Sequence, residues 1–331
     1  MERRRLGKTG LEVSLLGFGC GTVSGLMVRG TQVEQDRAVH RAIDLGITYF
    51  DTAAAYGDGA SERNLGRALR SARADLVVAT KIMLTGADAG SIAEAVVARL
   101  EASLRRLGRE CVDIVQLHNR ISTRSGGRDL AVETVLGEVA PAFARLIDQG
   151  KARYCGLTAL GDTDAIGQAI DSCRFDTVQV IYNMLNPSAA GPVPPKFPGQ
   201  DFAGLLDRAK AAEMGILAIR VLAAGALSPA GPRHPLAKAE VDPMGSGSTF
   251  AADIARARRL EALVREGHAG DLNEAAIRFA VSCQNISSAV LGFSSVDQLE
   301  AAVRAVEKGP LSAAALERLR ALQSSFVGEP R

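Results

Sequence analysis

Four side chains stand at or just beyond the ends of apolar runs, and together they form a proton-transfer set. Asp51 closes ITYFD, Tyr56 follows it in FDTAAAYGDGASE, Lys81 closes LVVATK and His118 closes VDIVQLH. A free phenol has a pKa of about 10 and exchanges a proton poorly near neutrality. An ammonium beside it favours the phenolate and is expected to lower that value. A buried ammonium needs a carboxylate to stay charged, and Asp51 can supply it. A histidine can hydrogen-bond a carbonyl oxygen and orient it. In this reading Tyr56 is the general acid, giving its proton to a carbonyl as a hydride arrives. Singly, each residue has a plainer use: Asp51 as a turn cap, Tyr56 as an interface ring, Lys81 as an outward-reaching stem, His118 as a satisfied core histidine. Four such groups at three successive run ends are hard to assemble by accident.

Such a set works only if one scaffold brings the run ends together. Eight short apolar runs cover 15–19, 47–51, 76–81, 112–118, 152–158, 177–182, 215–220 and 288–293. Near-continuous apolar runs of this length are expected of parallel strands buried on both faces. Helical patterns fall between them. In SIAEAVVARLEASLRRLG, Ser91 and Glu94 predict a capping box, Ile92, Val96, Leu100, Leu104 and Leu107 make one apolar face, and Gly108 is placed for a left-handed cap. Ser295 with Gln298, and Asp271 with Glu274, predict two more helix starts. Eight strands alternating with helices predict a (β/α)8 TIM barrel, one domain over residues 1–331, with its active site at the C-terminal strand ends. A doubly wound sheet is the alternative, disfavoured because no break divides the chain into halves. Two long loops are expected, about 184–200 and 228–250, the first over the barrel mouth.

Bulk properties narrow the function. A net charge of +2 gives no long-range field for nucleic acid or an anionic membrane surface. No run of 18 apolar residues suggests a membrane span, and MERRRLGKTG lacks the apolar core of a signal peptide. The five cysteines are odd in number and far apart, so reduced thiols and a cytoplasmic location are expected. Neither these nor the four histidines have metal-ligand spacing, so no metal is expected. The basic stretches ALRSARAD and RRLGRE read as solvated helix faces, and Met27, Met83, Met184 and Met214 as core or pocket wall.

The stretch GFGCGTVSG, residues 17–25, tests a competing idea. A dinucleotide phosphate loop reads G-x-G-x-x-G and turns from a strand directly into a helix. Here the next helix is expected only from about Val33, and no suitable acid ends a following strand. The glycines read instead as a strand end that something approaches closely.

Along nearly its whole length the chain resembles the aldo-keto reductases. RLGKTGLEVSLLGFGCG at 4–21, FDTAAAYGDGASERNLGRALR, TK, DIVQLHN, GKARYCGLT at 150–158, VQVIYNMLNP at 178–187 and VLGFSSVDQLEAA at 290–302 carry the resemblance. It implies a (β/α)8 barrel that reduces carbonyls with an extended NADPH, or less often NADH. It implies Asp51, Tyr56, Lys81 and His118 as the catalytic tetrad, and Gln179 on the nicotinamide carboxamide. It further implies cofactor contacts at Gly21, Thr22, Thr158, Arg220, Leu222, Gly225, Leu227, Gly292, Ser294, Ser295 and Gln298.

The chain departs from the family pattern at three places. Thr158-Ala159 replaces the usual Ser-Asn after strand five, so one carboxamide contact loses its side chain. Arg220 stands where an aromatic ring commonly stacks on the nicotinamide; its planar guanidinium can stack, and its charge disfavours the oxidised, cationic ring. The segment after strand eight, GFSSVDQ, offers no cation for an adenosine 2′-phosphate, though Ser294, Ser295 and the helix start can hold an oxyanion, and Arg233, Lys238 or Arg304 could assist. NADP(H) is expected over NAD(H). The expected substrate is a small carbonyl compound or sugar, and Asn119 and Arg120 beside His118 would suit a sugar or an acidic carbonyl. Two other functions are weighed: a Schiff-base aldolase using Lys81, and a nicotinamide-binding regulatory subunit without turnover, since some members of this superfamily associate with ion channels.

Overall fold

Eight parallel strands close on themselves. The computed structural model describes residues 1–72, 75–228, 231–243, 247 and 249–327. The strands are β1 (Leu16–Gly19), β2 (Tyr49–Asp51), β3 (Val77–Ile82), β4 (Val112–Leu117), β5 (Ala152–Thr158), β6 (Thr177–Ile181), β7 (Gly215–Ile219) and β8 (Ser288–Gly292). Each pairs with its sequence neighbours, and β8 returns to β1 through Ala289 opposite Leu16 and Gly292 opposite Gly19. All eight expected strands are present, and the barrel is a (β/α)8 TIM barrel. A hairpin of Arg3–Arg5 with Glu12–Ser14 precedes β1.

The outer layer consists of α1 (Gln32–Asp44), α2 (Ala60–Leu69), α3 (Ile92–Leu107), α4 (Ala140–Asp148), α5 (Thr163–Asp171), α6 (Leu205–Ala211), α7 (Leu272–Ser282) and α8 (Val296–Glu307). Helices also span Phe250–Leu260 and Ala313–Gln323. The apolar face foreseen for α3 is buried, and Gly108 takes φ 64° as its left-handed cap. The Asp271 and Ser295 side chains accept from the N–H groups of Glu274 and Gln298. The Ser91–Glu94 capping box does not form. Ser91 Oγ turns back to the Asp88 carbonyl at 3.4 Å, and a capping box forms earlier, between Thr85 and Asp88. Asp88 also binds Arg99 at 2.6 Å, which fixes the box in that place. A short helical turn, Leu26–Arg29, precedes α1, which starts at Gln32 behind a Thr31–Glu34 capping box.

Successive strand side chains point to opposite faces. Phe50, Val78 and Val115 face the helices, whereas Tyr49, Val77, Ala79, Ile114, Leu217 and Val290 pack together inside the barrel. The same period places Asp51, Lys81, Thr158 and Gln179 inward at the C-terminal ends of their strands. Gly17 is part of this packing: a Cβ there would meet the Tyr49 ring at 2.9 Å. The close approach foreseen at these glycines is therefore made, at Gly17, by a barrel side chain.

Arg73 and Ala74 of the basic stretches lie outside the described residues; among the described ones, Arg106 turns inward. Arg106 donates to the fully buried Glu62 at 2.5 Å, and Glu62 accepts from Thr80 Oγ1 at 2.5 Å. This ties α2, α3 and β3 together next to Lys81. Met27, Met184 and Met214 are buried, as expected. Among the described residues no helix is long and apolar enough to cross a membrane.

Candidate active site

The barrel brings the four chemistry-bearing residues to one mouth. Lys81, buried, donates through Nζ to Asp51 Oδ1, to the Thr52 carbonyl at 2.9 Å and to Tyr56 Oη at 3.2 Å. The ammonium also lies 4.8 Å from the centre of the Tyr56 ring. The Tyr56 and His118 rings meet edge to face, with centroids 5.7 Å apart. Gln179, reaching across the barrel, donates to Asp51 Oδ2 at 2.5 Å.

The electrostatics of the set follow from its burial. Burial works against the Lys81 charge, but Asp51 and then Tyr56 outweigh it, and Lys81 sits above the ordinary lysine range. The expectation for Tyr56 is corrected. Burial raises its pKa and Asp51 raises it further; the Lys81 ammonium lowers it but does not win, so the phenol lies above its ordinary value. The sequence shows the neighbouring ammonium but not the desolvation that opposes it. Tyr56 is a firmly protonated hydrogen-bond donor. His118 is pushed down to about 3, by burial first, then by the charges of Lys81 and Arg128. It is a neutral imidazole at neutral pH, and its buried Nδ1 has no partner among the described residues.

The residues implied to hold a cofactor divide into three groups. Thr158 Oγ1 is buried with no partner among the described residues, beside Gln179 in register. Gly21 borders the Tyr56 ring, which a Cβ there would approach at 4.0 Å. The turn after β7 is strained: Arg220, Ala223 and Ala224 have φ of 58°, 46° and 57°, and Gly225 has 100°. Left-handed backbone costs a non-glycine residue about 1–2 kcal/mol, and this turn is held by outside partners. Asn183 Nδ2 donates to the Arg220 carbonyl at 3.0 Å, and Arg233 donates to that of Ala224 at 2.9 Å. Leu222 accepts from the Gly225 N–H at 2.8 Å, and Leu227 is fully buried. Strain maintained by surrounding structure is common at ligand sites.

After β8 the polar groups are engaged with one another. Ser294 Oγ donates to the Ser24 carbonyl at 2.7 Å, the Ser294 N–H donates to Gln298 Oε1 at 2.8 Å, and Ser295 caps α8. Gly292 admits Ser24, whose Oγ a Cβ would meet at 2.4 Å. Arg233 is occupied in its own loop by the carbonyls of Ala224 and Lys238, and Arg304 lies 4.0 Å from Glu300.

Two loops frame the mouth. Residues 186–200 pack closely, with Gln200 donating to the Gly161 carbonyl at 2.8 Å. The segment 228–250 lies partly outside the described residues. Its described part crosses to the loop after β1: Lys238 N–H donates to the Val23 carbonyl at 2.8 Å, and Arg29, which also holds the Thr22 carbonyl at 2.7 Å, donates to Leu236. Asn119 and Arg120 are not free for a substrate. Asn119 is buried, bound to Leu84 N–H and carbonyl at 2.7 and 2.8 Å, and Arg120 pairs with Asp129 at 3.1 Å. Two neighbours of the site escaped the sequence reading. Tyr49 carries a buried hydroxyl that faces Gln179 and Asp51, two residues before Asp51 and on the same face; that spacing was the available signal. Arg128, exposed in the loop after β4, contributes to lowering His118, and nothing in its local pattern marks it.

Comparison with known proteins agrees with this geometry. A family model described as the aldo/keto reductase family matches residues 15–324. L-galactose dehydrogenase of Arabidopsis thaliana is 30% identical over 311 residues, 92% of this chain and 88% of that protein. L-glyceraldehyde 3-phosphate reductase of Escherichia coli O157:H7 is 28% identical over 328 residues, with the same coverage of 92% and 88%. An aldo-keto reductase from Bacillus halodurans, in its holo form, superposes with a TM-score of 0.73 at 23% identity, covering 99% of this chain and 98% of its own. The chain belongs to the aldo/keto reductase family, and is an NAD(P)-dependent oxidoreductase.

Proposed function

We propose that one barrel domain reduces an aldehyde or ketone to an alcohol, or runs the reverse oxidation of an alcohol or sugar, with Tyr56 as the acid. The observation that carries this reading is the buried Lys81 ammonium in contact with both Asp51 and Tyr56. Asp51 holds Lys81 charged. Lys81 donates to Tyr56 Oη, which stabilises negative charge there once the proton has left. Neutral His118 presents a ring nitrogen that can hold the substrate oxygen in place. Burial keeps Tyr56 protonated until a carbonyl oxygen gathers charge beside it.

The residues fit a nicotinamide cofactor. Thr158 has a buried hydroxyl with no partner among the described residues, suited to a carboxamide, with Gln179 beside it. The strained turn at 220–225 and Gly21 offer backbone to a ligand lying along the mouth. When bound, such a cofactor supplies the hydride. NADP(H) is the cofactor we expect, on the family's preference; the lack of Lys or Arg in 292–298 pulls toward NAD(H). The relatives' names, a galactose dehydrogenase and a glyceraldehyde phosphate reductase, support a small carbonyl compound or sugar as substrate. Five unbridged cysteines support a cytoplasmic location.

A panel of aldehydes, ketones and sugars, followed at the nicotinamide absorbance with NADPH and NADH, tests the reading. Turnover of at least one carbonyl class is expected, faster with NADPH. Tight cofactor binding with no turnover across the panel would instead favour the regulatory-subunit reading.

Arg220 makes a separate prediction. A half-buried guanidinium near the nicotinamide repels the oxidised, cationic ring. The reduced cofactor is expected to bind about 3- to 10-fold tighter than the oxidised form, on the scale of one partly screened charge pair. Arg220→Leu is expected to shrink that ratio toward one. Equal dissociation constants in the parent protein, measured by fluorescence titration, would remove the argument.

A further inference from the structure

One hydrogen bond crosses the barrel from wall to wall. Asp51, Tyr56, Lys81 and His118 lie on β2, β3 and β4 or on the residues that follow them, three adjacent strands. Gln179 lies on β6, four strands from β2 in a ring of eight, and so stands diametrically opposite Asp51. Its Nε2 nevertheless donates to Asp51 Oδ2 at 2.5 Å, with both side chains buried. The lateral neighbours of Gln179 explain the direction it takes. In register beside it are Thr158 on β5 and Leu217 on β7, a hydroxyl and an apolar chain. Neither offers a carboxylate, and a buried amide donor left unpaired costs free energy.

Both Asp51 oxygens are thereby fixed, Oδ1 by Lys81 and Oδ2 by Gln179. A carboxylate pinned at two oxygens cannot turn about its terminal torsion, which is otherwise broad. Lys81 commits its three donors to Asp51, to the Thr52 carbonyl at 2.9 Å and to Tyr56 Oη at 3.2 Å. The N–H that meets Tyr56 is aimed by the place Asp51 holds. Without Gln179, a buried carboxylate oxygen loses a charge-assisted hydrogen bond. The carboxylate is then free to swing both oxygens toward the ammonium and draw it away from Tyr56.

We propose that Gln179 is a positioning residue for proton transfer: by holding Asp51 Oδ2 from the opposite wall, it fixes the line from Asp51 through Lys81 to Tyr56 Oη. This role is separate from any contact with a cofactor carboxamide, and it rests on Tyr56 acting as the acid.

The ionisable groups around the pair are Cys20 after β1, Tyr49 on β2, Tyr56, Lys81, His118 and Arg220 after β7. Burial raises the Cys20 thiol and both phenols, and pushes His118 down to about 3. Lys81 lies above the ordinary lysine range despite its burial, held there by Asp51. The Arg220 guanidinium, lowered by burial, stays charged. Other acids are engaged elsewhere: Asp242 and Asp253 face Arg220, and Glu62 accepts from Thr80 and Arg106 behind β3. None of the groups around the pair changes protonation between pH 5 and 9.

Gln179→Glu then works as a switch. Two carboxyl groups this close share one proton, which leaves only well above the ordinary carboxyl range. While the proton stays, the introduced carboxyl donates to Asp51 Oδ2 as the amide did; once it leaves, two carboxylates repel. At saturating cofactor, kcat for reduction is expected within about threefold of the parent at pH 5.5 and at least about tenfold below it at pH 9. The parent should be level over that range. Gln179→Met, with no donor, should be about tenfold slow at both ends. A level profile for Gln179→Glu overturns the proposal and leaves carbonyl reduction standing. A pH step in the cofactor dissociation constant with kcat unchanged also overturns it, and makes Gln179 a cofactor contact alone.

A second measurement needs neither cofactor nor turnover. In cofactor-free protein, Gln179→Met should lower the urea midpoint of unfolding. In the Asp51→Asn background that loss should be about half as large, because a hydrogen bond to a charged acceptor is roughly twice as strong as one to a neutral acceptor. Equal losses in the two backgrounds defeat the proposal even if no carbonyl compound is turned over.

Discussion

Tyr56→Phe is expected to lower kcat by about 100- to 10,000-fold, the range a positioned acid contributes, while cofactor dissociation constants move less than about threefold. The ring stays to pack against His118, so only the hydroxyl is lost, with the hydrogen bond it accepts from Lys81. The pH dependence of the parent enzyme sharpens the assignment. Burial holds the Tyr56 pKa above its ordinary value. Reduction needs the protonated phenol, so its rate should stay level through neutrality and fall only in strong alkali. Oxidation needs the phenolate, so its rate should climb with pH over the whole accessible range. His118, pushed down to about 3, is neutral throughout, and no break should appear between pH 5 and 8. A variant as fast as its parent, or a break near pH 6.5 in the reduction profile, contradicts the roles of Tyr56 and His118.

Lys81→Met is expected to be the most destabilising change at the site. It leaves the buried Asp51 carboxylate without its cation, and breaking a buried pair from one side costs about 3–5 kcal/mol. The double change Asp51→Asn with Lys81→Met should recover most of that loss. It removes both charges, and an amide oxygen can still accept from Gln179. Urea unfolding reads the difference as midpoints. Activity should not recover in parallel, because both proteins lack the ammonium beside Tyr56. Were the single and double variants equally stable, Asp51 would not be the counter-charge that keeps Lys81 ionised.

These expectations rest on a fold whose main features can be read from the chain. Parallel strands buried on both faces write themselves as apolar runs, so 76–81 and 152–158 were legible within a residue or two. The inward period then follows, which is why Asp51, Lys81 and Gln179 converge. Helix caps are less legible where two candidates lie close together. Ser91 still stands at the start of α3, but its hydroxyl turns back to the Asp88 carbonyl, where Arg99, 11 residues on, anchors Asp88. The direction of the Tyr56 shift could not be read at all, since it is set by how much water the closed barrel excludes. Asn119 and Arg120 looked available because their partners, Leu84 and Asp129, are brought to them only by the fold. Arg128 is a solitary arginine in a polar loop until the fold brings its carbonyl to Asn119, the residue after His118.

The cross-barrel bond from Gln179 to Asp51 joins residues 128 positions apart. At ribosomal speeds of about 5–20 residues per second, roughly 6–26 s separate the emergence of the two partners. During synthesis the first half of the chain therefore presents a carboxylate and an ammonium whose enclosing wall has not yet been made. Within that interval the edge of β4 (Val112–Leu117) is open until β5 (Ala152–Thr158) arrives to pair with it. A nascent chain paused between these points is the species on which a chaperone would be expected to act.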